Sequence, residues 1–254
     1  SASQVSGDLP ASIRIVDPGP GNGTDEGAAM AELIYDLAPG CNLSFASAFS
    51  GYMQFAQNIT RLRNDSTAPA RILVDDVNYF VEPVYQDGPI ALAAADAVAA
   101  GIPYYSAAGN YAANAHERAF ADLNPAANDL EYPPTGVDFH DFGAASGGAS
   151  NAYLAIELNP GASLDAILHW DEPYGGVFAA GPGATCDLDL YIVKDKILPL
   201  NDQEGGNILA YSAEFQGVPG TPEGDSVEDI GYTNSTAQKQ TVYVVVDHFD
   251  GRRP

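Results

Sequence analysis

The sequence predicts an α/β region, built as part of a doubly wound parallel sheet, followed by an all-β antiparallel sandwich. Three observations carry this. Strand-like and helix-like segments alternate as far as about residue 110. Residues 111 to 150 are rich in Ala, Asn, Pro and Gly and read as a linker or long loops. Beyond 150 the apolar residues alternate with polar ones in short runs separated by Gly, Pro and Asp clusters. The expected division is 1–115 for the α/β part, 116–150 for the linker and 151–254 for the sandwich.

The elements of the first part follow in order. Ser12 to Val16 reads as a strand, and Glu26 to Leu37 as a helix with Met30, Leu33, Ile34 and Leu37 at helical spacing. Pro39-Gly40 stops it. Asn42 to Ala48 is a second strand, and Tyr52, Phe55, Ala56, Ile59 and Leu62 mark a second amphipathic helix. Arg71 to Asn78 is a third strand, Ile90 to Ala100 an alanine-rich helix stopped by Gly101, and Ile102 to Ala107 a fourth strand. Strands alternating with helices imply parallel pairing with helices on both faces. In the second part, Tyr153 to Leu158, Leu164 to Trp170, Asp187 to Val193, Ile208 to Ala213 and Thr241 to Asp247 read as strands.

Composition narrows the function classes. Hydrophobic residues make up 46% of the 254, enough for a packed core. Ten basic residues stand against 34 acidic ones, a net charge of -24. Such a surface repels phosphate, so nucleic acid and anionic membranes are not expected as partners. It favours solubility in salt and offers carboxylates to hard cations such as calcium. Two cysteines, Cys41 and Cys186, lie far apart and read as free thiols rather than a disulfide. No apolar run is long enough to span a bilayer, and no signal peptide is present, as in a mature or trimmed chain. The sequons Asn58-Ile59-Thr60 and Asn64-Asp65-Ser66 are too common by chance to settle a compartment.

Glu26 opens the first long helix within the same stripe as Met30, Leu33 and Leu37. A carboxylate there is either a first-turn acid stabilised by the helix dipole, with Asp25 beside it, or a functional group on a buried face. Asp75 and Asp76 interrupt an apolar run at the carboxyl end of the third strand, the end that faces the ligand crevice in open α/β sheets. Adjacent strand residues point to opposite faces, so at most one enters a site, and a capping or solvated role is the alternative. Asn110 ends Ala107-Ala108-Gly109-Asn110 and is either a turn asparagine or a positioned amide donor.

Thr24-Asp25-Glu26-Gly27, the helix after it, Ala38-Pro39-Gly40 and the strand ending in Gly109-Asn110 together resemble the subtilisin/sedolisin superfamily of secreted serine peptidases. The resemblance covers about residues 8 to 110 and implies a subtilisin-like sheet, peptide substrates and a secreted protein. It puts Glu26 at the general-base position that a histidine holds in subtilisins, and Asn110 at the amide donor to the oxyanion. It puts Asp75 and Asp76 on the edge that pairs with extended substrate, where subtilisins have Ser-Leu-Gly-Gly. Sedolisins use a glutamate base with an aspartate one turn later; here that position is Met30.

Subtilisins also carry an aspartate on the first strand and a nucleophile in Gly-Thr-Ser. No segment matching that strand precedes Ser1, and the chain contains no Gly-Thr-Ser. The chain is therefore expected to be a truncated piece of such a peptidase, inactive as it stands. A non-catalytic adhesion or ligand-binding protein that reuses the same sheet is the alternative. Leu168 to Pro173 followed by Cys186 to Tyr191 resembles the pre-peptidase C-terminal type of β-sandwich. Within it Asp187 and Asp189 share one strand face and are candidate calcium ligands, or acids that satisfy loop amides. His116, His140, His169 and His248 show no metal-ligand spacing and read as structural.

Overall fold

A computed structural model describes residues 1–111, 114–123, 138–143, 149–176, 179–197, 200 and 205–251. The chain divides into two compact units: residues 1–79 with 87–114, and residues 80–86 with 115–254.

The first unit opens with a short helix α1 (Ala2–Ser6), whose N-cap Ser1 and Gln4 form a reciprocal capping box. Strand β1 (Arg14–Asp17) pairs in parallel with β2 (Ser44–Ala46), joined through helix α2 (Glu26–Leu37). Helix α3 (Tyr52–Arg63) leads to β3 (Leu73–Asp75). Helix α4 (Pro89–Ala99) leads to β4 (Tyr104–Ser106), which pairs in parallel with β3. Pro89 starts α4, where its missing N–H costs nothing, and Gly101, at φ +80°, ends it. The core is small: Phe55, Ala56 and Ile59 of α3, Leu73 of β3 and Ala93 and Ala97 of α4, with Ala48.

The four strands expected here are all present and their pairing is parallel. Among the described residues they form two separate two-stranded sheets, β1-β2 and β3-β4, rather than one continuous sheet. Three of the four are only three residues long, too short for the extended ladders that the apolar runs suggested. Helix α2 has the expected bounds but not the expected burial. Met30 and Ile34 are half-buried, Leu33 and Leu37 are exposed, and no residue of α2 is fully buried.

The second unit is antiparallel. Strands β5 (Leu154–Leu158), β6 (Ser163–His169), β7 (Cys186–Val193) and β8 (Ile208–Ser212) are followed by the short pair β9 (Gly217–Val218) and β10 (Thr221–Pro222). Strands β11 (Val227–Thr233) and β12 (Gln240–Gly251) complete it. One sheet runs β5-β12-β7-β8 and a second pairs β11 with β6. Both sheets feed one core: Leu188, Leu190 and Ile192 of β7, Val242, Val244 and Val246 of β12, and Ile230 of β11.

Two segments expected elsewhere belong to this unit. Phe80–Gln86 leaves the first unit: the Phe80 carbonyl lies 2.7 Å from His169 Nε2, and Gln86 accepts from the Tyr174 amide. Within the expected linker, Asp138 to Asp141 is buried, and Phe139 bridges to Asp247 of β12. An apolar side chain at the right register and an unfilled edge of β12 make that segment sheet rather than connector. Asp122 of the same stretch bridges to His140, while linker residues 124–137 and 144–148 lie outside the described residues. Both cysteines are free; Cys186 is buried and Cys41 half-buried.

Candidate functional site

Strand β1 ends in an acid, Asp17, one residue beyond Val16, where the sequence predicts the strand to end. An aspartate therefore does end the first strand upstream of Glu26. Asp17 Oδ2 accepts a 2.7 Å hydrogen bond from Asn58 Nδ2, and Oδ1 accepts the Gly19 amide at 2.9 Å. These two, the Asn58 contact foremost, hold its carboxyl below the ordinary aspartate range. Asn58 is itself fixed. Its Nδ2 also donates to the Ser47 carbonyl at 2.9 Å, and its Oδ1 accepts from Gln54 and from Arg61 Nη1. Arg61 Nη2 closes the network on the Val16 carbonyl at 2.9 Å. Asn58 is 1% exposed, so the first sequon is spent on structure, whereas Asn64 is exposed.

Glu26 begins α2 as expected, but it is exposed rather than partly buried. Its place in the first turn satisfies the helix dipole without drawing it into a cleft. The neighbouring Gly27 has a packing reason. A Cβ there would sit 2.8 Å from Phe45 Cε2, so glycine lets α2 rest on the ring from β2.

Asp75, at the end of β3, is half-buried and occupied: Ser106 Oγ donates to it at 2.6 Å, and the Tyr104 hydroxyl also donates. Burial, then the hydrogen bond to Asp75 and its charge, pushes the Tyr104 phenol well above its ordinary range. Asp76 is exposed. The two aspartates thus separate as strand geometry requires. Gly109 lies at φ +70°, and a Cβ on it would meet Asn78 Nδ2 at 2.7 Å. The segment after β4 therefore closes on the segment after β3, and the exposed Asn110 follows directly. No hydrogen bond or ion pair joins Glu26, Asp76 and Asn110 among the described residues.

In the second unit, Asp187 and Asp189 are both buried on β7. Asp189 stands opposite Asp247 of β12 in the antiparallel register, and Asp187 opposite Asp250. Asp189 accepts the Tyr191 hydroxyl at 2.8 Å. Asp187 accepts the Gln216 amide, and its Oδ1 has no partner. Burial foremost, then the Asp189 charge, raises both Asp187 and Asp247 to about 7. Glu228 from β11 is also buried and accepts from Ser212, Gln216 and the Glu214 amide. A hard cation takes about six to eight oxygens. Among the described residues no group of three His, Cys, Asp or Glu side chains is placed to hold a metal ion.

The histidines divide between exposed and structural. His248 Nδ1 lies 2.6 Å from Asp138 Oδ2, both buried, while His248 Nε2 has no partner. His169 bridges Tyr174 and the Phe80 carbonyl. His140 accepts the Ala121 amide, and burial lowers its pKa. His116 is exposed against the rings of His140 and Phe142.

No described helix is long and apolar enough to cross a membrane. Compared with family models, with curated proteins and with solved structures, the chain has no match.

Proposed function

We propose that the first unit is part of a secreted serine peptidase of the subtilisin/sedolisin type, with the doubly wound architecture of that superfamily. The observation that carries this is Asp17 at the carboxyl end of β1, followed by the helix that opens with Glu26. In this reading Asp17 is the acid of the first strand, Glu26 the general base, and Asn110 the amide that donates to the oxyanion. Asp75 and Asp76 lie on the edge that lines extended peptide. Asp17 is held ionised by Asn58 and Gly19, the state an orienting acid needs. The 254 residues contain no Gly-Thr-Ser, so by themselves they do not turn over peptides by the superfamily mechanism.

A second reading has its own observation. Glu26 is exposed, and a general base works best partly desolvated with a tuned pKa. An exposed Glu26 favours a non-catalytic homologue whose sandwich is the ligand module. Exposing the chain to a fluorophosphonate and a mixed peptide library separates the readings, with amide shifts followed by NMR. The peptidase reading expects no labelled serine, and peptide-induced shifts at Asp75 to Asn78 and Asn110. Shifts confined to the second unit support the binding protein. A labelled serine with peptide turnover overturns the claim that these residues lack a nucleophile.

A further inference from the structure

The sheet β5-β12-β7-β8 has one face in the main core, while on the other Val193 and Val245 are buried with Phe139 and Ala152 in a second cluster bordered by tyrosines. Directly paired residues share a face, and so do residues two apart on one strand. Tyr211 pairs with Tyr191, Tyr191 with Val245, Val193 with Tyr243, and Asp189 with Asp247. All of these lie on the face opposite Leu188, Leu190 and Ile192.

Two tyrosine pairs stand on this face. Tyr153 and Tyr243 meet edge to face with centroids 5.9 Å apart, and the Lys196 ammonium sits over them, 5.7 Å from one ring and 5.1 Å from the other. The protein thus already seats one cation on this face. Tyr191 and Tyr211 form the second pair, with centroids 6.3 Å apart and planes inclined by 30°. Tyr211 is 58% exposed on an edge strand. The Tyr191 hydroxyl donates to Asp189, which faces Asp247, so carboxylates back the second pair.

We propose that the Tyr191–Tyr211 pair is a docking site for a lysine or arginine side chain of a basic polypeptide. Lys196 supplies the internal precedent for the contact. Ring faces attract cations, the adjacent carboxylates deepen the negative potential, and a net charge of -24 draws basic partners in. This inference is independent of the peptidase reading, since it involves only the second unit.

The test is calorimetric titration of the whole chain with a short lysine–glycine peptide, a serine–glycine peptide and a neutral oligosaccharide. The lysine peptide alone should bind. Tyr211→Ala keeps every charge and should weaken it about two- to thirtyfold, the range of a cation–ring contact. Tyr211→Phe keeps the ring and should bind as the parent does. Tyr211→Lys should abolish binding by putting a cation on the face. Equal binding by the parent and Tyr211→Ala would reduce the effect to general charge attraction and overturn the proposal. So would absence of lysine-peptide binding at low salt, or preferential binding of the oligosaccharide. Near-ultraviolet circular dichroism checks that each variant is folded.

Discussion

Asn58 donates to Asp17 across 41 residues of chain, tying α3 to the end of β1 with a 2.7 Å hydrogen bond. The same amide nitrogen reaches the Ser47 carbonyl just beyond β2. One buried side chain therefore fixes the ends of two parallel strands and the charge state of the acid between them. Replacing Asn58 by Ala should cost about 1–3 kcal/mol, because it strips a charged group and a buried carbonyl of their donor. The Asp17 carboxyl should titrate higher in the variant, as read by carbon NMR. An unchanged titration would mean that Gly19 alone holds the charge.

Gly27→Ala tests the contact between α2 and β2. Alanine gains about 1 kcal/mol of helix propensity over glycine. A Cβ 2.8 Å from the Phe45 ring forces that ring or the helix to move, at a cost of about 1–3 kcal/mol. Net destabilisation is expected in denaturant unfolding. It should shrink when Phe45→Leu is combined with it, a coupling that a double-mutant cycle reads directly.

Glu26→Gln should leave stability within about 0.5 kcal/mol, as expected for an exposed surface position. A larger loss in thermal unfolding would show that the carboxylate has a buried partner in solution.

The acids of the second unit set a pH dependence with a definite sign. Asp187 and Asp247 are raised to about 7 from an ordinary 3.8, so the folded protein binds more protons than the unfolded chain between those values. Stability from these groups is full below about pH 4 and is lost as pH rises through 7. Asp17 acts in the opposite sense: its carboxyl is lowered, and its contribution is lost as pH falls through the acid range. The second unit should therefore be more stable at pH 5 than at pH 8. Asp247→Asn, which removes the charge facing Asp189, should raise stability at pH 8 by about 1–3 kcal/mol and flatten the profile. A flat profile in the parent protein would refute this assignment.

Salt should stabilise the protein. With a net charge of -24, self-repulsion opposes the compact state, and added salt screens it. The melting temperature should rise from low to molar potassium chloride. A fall would mean that ion pairs such as Arg14–Asp65 outweigh the repulsion.

The sequence by itself determined the order of strands and helices from β1 to β4, the bounds of α2, and the antiparallel character of the second part, but not α1. Those features are local: helical spacing, glycine and proline stops, and alternation are written in neighbouring residues. It also named Glu26, Asp75, Asp76, Asn110, Asp187 and Asp189; Glu26 opens α2, Asp75 ends β3 and Asp187 and Asp189 lie two apart on β7, whereas Asp76 and Asn110 lie beyond the ends of β3 and β4. Tertiary structure alone decided what surrounds them. Asp75 is engaged by Tyr104 and Ser106, Glu26 is open to solvent, and Asp187 and Asp189 are buried. It also decided β11, which is not among the strands the sequence predicts; Glu228 is buried there, accepting from Ser212, Gln216 and the Glu214 amide. What holds the Asp17 carboxyl low is foremost Asn58, far along the chain. Burial and hydrogen-bond partners depend on residues distant in sequence, and no local pattern encodes them.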